Sequence, residues 1–464
     1  MSSCWHDLGL RINLTPTLSC GQSFRWRPLF DGQLWIGIIG EHAIALRNIP
    51  SLSDANDPSC ESPFITQFKL IGCGVRRHKK EELQDSAAGG GTSRALDSDA
   101  RNHESTESIR QIVLRYFGGA KRTKNSGSGV RRSTRNKKPQ HLQRNQNMGF
   151  DDKSPPLLED LISEDTGGCR TRPFQSEVET LPWLDDPALA SSFERAPYAR
   201  CICHVDVLEA LIGCIGSANN SIKRNCLMMD QLCALFPENA ISPTVEDGPA
   251  TDHVVEPQSK RRKKEGAHGR GQESIEAHPA HIDLQFEDIA AMALFAFPTL
   301  SQLRRLTAPV LMEAGWGYRS QRVIDTCTVL HEVQADGNGV DWLIQQTAEA
   351  WENPEGVAQR LSDLFPGVGP KVADCFLLYG LGVKVALPLD SRVAVSWQKQ
   401  LLRKYKDESR DGTASPSHLV RGVSGCNQLP SSAYASLKEA FRNRFGRWAG
   451  IAFVQMYAAE LCAI

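Results

Sequence analysis

The strongest constraint on how this chain folds is a short punctuated segment, Phe365-Pro366-Gly367-Val368-Gly369-Pro370-Lys371. An amphipathic stretch runs into it and ends at Leu364 or Phe365, and a second apolar run begins at Pro370. Pro366 and the two glycines break the first helix and allow a sharp turn. Pro370 suits a first helical position, where its missing N–H would have no partner in any case. The pattern predicts two helices joined by a tight hairpin. The unpaired amides and dipole of the second helix would form a seat for phosphate.

Lys371 falls in the first turn of that second helix. The positive end of the dipole disfavours a cation there and favours the neutral amine that a nucleophilic lysine needs. Asp390 follows 19 residues later, where the apolar run Ala386-Leu387-Pro388-Leu389 stops at a carboxylate. It also fits as the N-cap of a helix over Ser391–Leu402, and the two roles are compatible. The hairpin is that of a helix–hairpin–helix DNA-binding element, although a purely structural corner between two helices fits the same residues.

The remaining sequence divides by composition. Residues 8–50 read as strands, notably Leu34–Ile39 and Ala43–Leu46, and Ile65–Cys73 is a further strand. Glu107–Phe117 has helical spacing. Residues 121–147 hold nine Lys/Arg and no acidic residue, too little apolar surface to fold. Segments of about 74–105 and 240–278 are similarly biased, and all three read as disordered surface insertions, which a folded host tolerates at small entropic cost. The run Lys260-Arg261-Arg262-Lys263-Lys264 is a nuclear import signal, a tether to DNA or a solvated loop.

From about residue 180 the periodicity is helical, in segments that include Val205–Ser217, Lys223–Leu235, Phe286–Phe295, Pro370–Gly380 and Trp448–Cys462. With 53 basic and 54 acidic residues, the chain is not a uniformly basic DNA-coating protein, so any nucleic-acid footprint must be local. The 14 cysteines show no regular framework, and Cys201-Ile202-Cys203-His204 reads better as core strand than as a metal site. No apolar run reaches the roughly 18–20 residues of a membrane span, and the N-terminus has neither a secretory nor a transit pattern.

Four separated motifs, in order, resemble the 8-oxoguanine DNA glycosylase family of helix–hairpin–helix glycosylases. They are Gly21-Gln22-Ser23-Phe24-Arg25-Trp26, Ser217-Ala218-Asn219-Asn220-Ser221-Ile222-Lys223-Arg224, Gly317-Tyr318-Arg319 and Gly367-Val368-Gly369-Pro370-Lys371-Val372-Ala373-Asp374-Cys375. The resemblance covers most of the chain outside the insertions. It implies an α+β fold: a twisted antiparallel β domain over 1–118, a basic insertion at 119–150, and a mainly α-helical domain over 151–464.

By the same resemblance, Lys371 would attack the sugar C1′ of a flipped nucleotide, and Asp390 would stabilise the positive charge that develops. Gly21 and Cys375 would line the base pocket, with the Gly21 carbonyl testing for the N7 hydrogen of 8-oxoguanine. Asn219, Arg224 and Arg319 would hold the estranged cytosine while Tyr318 wedges into the duplex. Gly367, Val368, Gly369 and Arg392 would meet DNA phosphates. The implied protein is a monomeric nuclear enzyme, with a possible minor mitochondrial pool. It needs no metal or cofactor, acts on double-stranded DNA containing a damaged base, and has no membrane partner.

Two positions depart from the pattern. Arg392 stands where the family usually has His. Phe453 stands where a family Gln reads the pairing edge of the base, with Tyr457 at the aromatic stacking position. Gln455 points about 200° away around the helix and is a poor substitute. Two rival readings start from the same hairpin. An endonuclease III-like glycosylase is disfavoured because only Cys426 and Cys462 follow the hairpin helix, too few for a four-cysteine cluster. A non-catalytic DNA-binding hairpin would leave Lys371 dispensable.

Overall fold

The computed structural model describes residues 4–50, 64–74, 105–118, 187–243, 292–334, 339–389, 393–394 and 431–462. The chain packs as two units, Met1–Ala120 with Pro182–Ile464 as one and Lys121–Leu181 as the other. The second lies outside the described residues, as do residues 75–104 and 244–291, which hold most of the insertions expected at about 74–105 and 240–278. Residues 240–243, at the start of the latter, are described and join the sheet.

The first unit begins with β1 (His6–Asp7), the short helix α1 (Leu14–Leu18), β2 (Trp26–Leu29), β3 (Leu34–Ile39), β4 (His42–Pro50) and β5 (Phe64–Cys73). The strands form one antiparallel sheet in the order β1-β5-β4-β3-β2. β3 and β4 pair with Ile36 opposite Ala45 and Ile38 opposite Ala43. Every residue of β3 is buried, because both faces of the sheet are covered. On one face Leu34, Ile36, Ile38, Ala43, Ala45 and Ile71 pack with Ile241 and Leu294, which come from far along the chain. On the other lies α2 (Thr106–Tyr116), capped by Ser105, whose side chain accepts from the Ser108 amide. Trp26 Nε1 donates to the Tyr116 hydroxyl at 3.0 Å, and a side chain at Gly37 would collide with the Trp26 ring.

Two sequence expectations are corrected here. Leu14–Leu18 is a helix within the stretch read as strands, with Pro16 in its first turn, where no intrahelical amide is needed. The C-terminal end of the helix expected over Phe286–Phe295 is not helical in its described part, residues 292–295. That segment is drawn out along the sheet: Phe295 bridges Ala240, and the Ile241 amide donates to Leu294 O at 2.8 Å. Burial of Leu294 beside Ile241 outweighs local helix preference.

The helical part comprises α3 (Pro187–Arg195), α4 (Val207–Ser217), α5 (Ile222–Ala234), α6 (Leu300–Leu303), α7 (Ala308–Glu313), α8 (Arg319–Glu332), α9 (Gly339–Glu352), α10 (Pro354–Leu364), α11 (Pro370–Cys375), α12 (Ser431–Phe445) and α13 (Ala449–Cys462). A π turn over Phe376–Gly380 continues α11. The two-residue strand β6 (Ser242–Pro243) returns from this part to pair with β5, so the sheet is completed by residues beyond 118. α4 is buried from Val207 to Gly216 and is the central helix. Among the described residues, no helix is long and apolar enough to cross a membrane.

Candidate active site

The expected hairpin is present between α10 and α11. Gly367 has φ +85°, and a side chain there would run into Arg322. Gly369 caps α11, its carbonyl accepting from Ala373 N at 2.9 Å. Val368, expected with the two glycines at the phosphate seat, sits on the inner side of the turn. Its side chain is buried and its amide donates to Phe365 O at 3.0 Å, so it shapes the turn from inside.

Lys371 is exposed on α11 and lines a cleft of about 510 Å³. Gly21, Cys375, Phe453 and Tyr457 line the same cleft, so five residues separated by more than 400 positions in sequence meet there. Gly21 has φ +78°, and a Cβ would press on Ile222 at 3.1 Å; the wall therefore approaches closely only as glycine. Phe453 and Tyr457 stack on each other, with centroids 5.6 Å apart and planes 10° apart. Rings packed together in this way offer one aromatic wall, not the two jaws of a sandwich. Gln455 faces away from the cleft, donating to Ser192 O at 3.1 Å and Ala196 O at 2.7 Å. Asp390 and Arg392 lie outside the described residues.

Beneath Lys371, Asp374 is fully buried and pairs with Lys438 Nζ at 2.7 Å. Burial pushes its carboxyl pKa up, against the pull of the Lys438 ammonium. The Tyr434 hydroxyl donates to Asp374 Oδ2 at 2.7 Å and lies 3.3 Å from Leu387 O. One α12 side chain thus joins the lysine's helix to the segment that runs on to Asp390.

A second cluster stands on the adjoining surface. Asn219 is exposed with φ +49°, a conformation Asn tolerates better than most residues. Tyr318 is 53% exposed, and its hydroxyl donates to Ala218 O at 3.2 Å. Arg224 is exposed, its Nη2 3.5 Å from Gly315 O. Arg319, expected to help hold the estranged cytosine, has its side chain turned inward. Its guanidinium donates to Ala218 O and, at 3.0 Å, to Asn219 O, with its carbon 4.3 Å from the Tyr318 ring centre. In this arrangement it props the Asn219 turn.

The 8-oxoguanine DNA glycosylase N-terminal domain model matches residues 9–119, the stretch that supplies strands β2 to β5, α2 and Gly21. The chain is 30% identical over 182 residues to N-glycosylase/DNA lyase OGG1 of Arabidopsis thaliana, and 36% identical over 146 residues to N-glycosylase/DNA lyase of Saccharomyces cerevisiae. Over these stretches the chain is similar to 8-oxoguanine DNA glycosylases. The matched regions cover 39% and 31% of the chain and 43% and 36% of those relatives, so it spans less than half the length of either. A Clostridium acetobutylicum 8-oxoguanine glycosylase/lyase crystallised with double-stranded DNA aligns at 15% identity and TM-score 0.49, covering 96% of this chain and 91% of that one.

Sequence reading missed three things. The segment Cys201–His204, expected as a strand, is instead irregular; it buries Ile202, and its Cys203 and His204 amides donate to Tyr116 O at 2.8 Å and Tyr379 O at 2.7 Å. Among the described residues, no group of three His, Cys, Asp or Glu is placed to hold a metal. The Asp374–Lys438–Tyr434 clamp and the buried pair His204 and Glu209 also went unseen. The available signal was a single carboxylate inside each apolar run, Val372-Ala373-Asp374-Cys375-Phe376 and Val207-Leu208-Glu209-Ala210-Leu211. A buried carboxylate must find a partner, but its sequence does not say which.

Proposed function

We propose that this chain is a bifunctional DNA glycosylase and AP lyase of base-excision repair that removes an oxidised purine, 8-oxoguanine opposite cytosine, from double-stranded DNA. The observation that carries the reading is the exposed Lys371 amine opening onto a base-sized cleft walled by Gly21, Cys375 and an aromatic pair. A base inside a duplex is out of reach, so the nucleotide must be flipped into such a cleft. The hairpin amides of Gly367 and Gly369 would hold the backbone beside it.

In the proposed reaction Lys371 Nζ forms a bond to C1′ as the glycosidic bond breaks, and the departing base takes up a proton. Loss of the amine proton and opening of the sugar ring give a Schiff base. Removal of a C2′ proton then expels the 3′ phosphate and nicks the strand. Asp390 would stabilise the positive charge on the sugar. Asn219, Arg224 and Tyr318 would occupy the space left in the duplex. The basic run at 260–264 supports a nuclear site of action, which a tagged chain lacking that run would test.

Borohydride trapping tests the mechanism. Duplex containing 8-oxoguanine opposite cytosine should yield a covalent complex with the wild type and none with Lys371→Gln. Absence of a wild-type adduct, or an undiminished one in the variant, would sink the proposal. Other damaged bases in the same assay would define the lesion.

A further inference from the structure

The proposed reaction makes no use of His204 and Glu209, buried directly behind the loop that carries Gly21. His204 Nε2 lies 2.9 Å from the backbone carbonyl of Gln22. A carbonyl can only accept, so Nε2 carries the proton and Nδ1 is left as an acceptor. Facing Nδ1 is Glu209 Oε1, at 3.8 Å. An ionised Glu209 would set acceptor against acceptor in a buried site, whereas a protonated one can close the gap and donate.

Burial favours that neutral pairing. It pushes the Glu209 carboxyl up to about 7, against the pull of Arg25 and helped by Asp206 and Asp230, and pushes the His204 imidazole down to about 4. Tyr116 closes the remaining side, its ring edge-on to His204 at 5.7 Å. Gln22 is gripped a second way: its side chain donates to Arg200 O at 2.8 Å and accepts from Ile202 N at 2.8 Å. A cavity of about 340 Å³, lined by Gly21, Gln22, His204, Glu209 and Cys375, places the pair against the wall of the base cleft.

We propose that His204 is a positioning residue for base recognition, holding the Gly21 loop through a hydrogen bond to Gln22 that depends on a proton shared with Glu209. The inference rests on the reading of the cleft as a base-recognition pocket. The only transfer involved is of a proton, between Glu209 Oε1 and His204 Nδ1.

The test is single-turnover excision of 8-oxoguanine, with nicking of a preformed abasic site by the same full-length protein, from pH 5.5 to 8.5. Nicking needs Lys371 but no base recognition, so it serves as the internal control. His204→Phe should slow excision at least tenfold and nicking less than twofold. His204→Gln, which keeps a donor for the Gln22 carbonyl, should recover most of the loss. Wild-type excision relative to nicking should step down on the alkaline side of about pH 7, and Glu209→Gln should remove the step. Equal loss of both activities, or no loss of excision, overturns the positioning role. A step that survives Glu209→Gln overturns the shared proton. A wild type that neither excises nor nicks defeats the reading of the cleft instead.

Melting temperature gives an independent arm if His204→Phe does not fold. The depressed His204 makes stability rise with pH between about 4 and its ordinary 6.5. The raised Glu209 makes stability fall with pH between its ordinary 4.5 and about 7. The two slopes oppose each other in the wild type. Glu209→Gln should leave the rising slope alone, and His204→Gln the falling one. Parallel curves for the two variants would count against the pair.

Discussion

At the hairpin end of the cleft, the helix bearing Lys371 is tied down by a buried carboxylate, an ammonium and a phenol, with Asp374 held by Lys438 at 2.7 Å and by Tyr434 at 2.7 Å. At the opposite wall, Phe453 and Tyr457 are set by ring stacking and helix packing. The first arrangement is directional and intolerant: each group has one geometry, and removing a partner strands a polar atom. The second is apolar and permissive, because stacking fixes a plane and not a pattern of donors and acceptors. In the proposed enzyme the groups that make and break bonds are therefore held more strictly than those that recognise the base.

That contrast can be broken at either end. The largest expected effect is at Lys438. Lys438→Met leaves the Asp374 carboxylate buried without its cation and should cost about 3–5 kcal/mol of stability. Urea unfolding measures it, and a loss under about 1 kcal/mol would mean that the pair does not anchor the hairpin. Tyr434→Phe is milder. It removes the link between α11 and the segment leading to Asp390, and should destabilise by about 1–3 kcal/mol. Base-excision kcat should fall roughly tenfold, equivalent to about 1.4 kcal/mol, with DNA affinity unchanged. A variant that loses affinity and kcat together would show that the hydroxyl shapes the DNA surface instead of aligning the reacting groups.

The smallest effect is expected at the permissive wall. Phe453→Gln should raise excision of 8-oxoguanine severalfold relative to other damaged purines, as one hydrogen bond contributes about 0.5–1.5 kcal/mol. Steady-state competition between lesions would measure it. An unchanged ratio would mean that this wall does not face the pairing edge of the base.

Much of this molecule was legible before its structure. The Pro-Gly punctuation dictated the hairpin, because no helix passes through Pro366-Gly367 intact, and the apolar runs of β3, β4 and α2 announced themselves by periodicity. Lys371, Gly21 and Cys375 could be singled out by motif, and they do line one cleft. Other features depended on distant partners. Leu294 leaves the helical pattern because Ile241 and the sheet offer it more burial than a helix would. Arg319 turns inward because the carbonyls of Ala218 and Asn219 converge on it from another helix end. Phe453 and Tyr457 share a helix face by spacing alone, but that they stack on each other is a matter of rotamer and neighbours. A sequence carries local conformational preference and the apolar pattern. Which buried charge meets which partner, and whether His204 reaches the loop behind Gly21, is decided only when separate elements close on one another. There, desolvation makes every unpaired polar group costly.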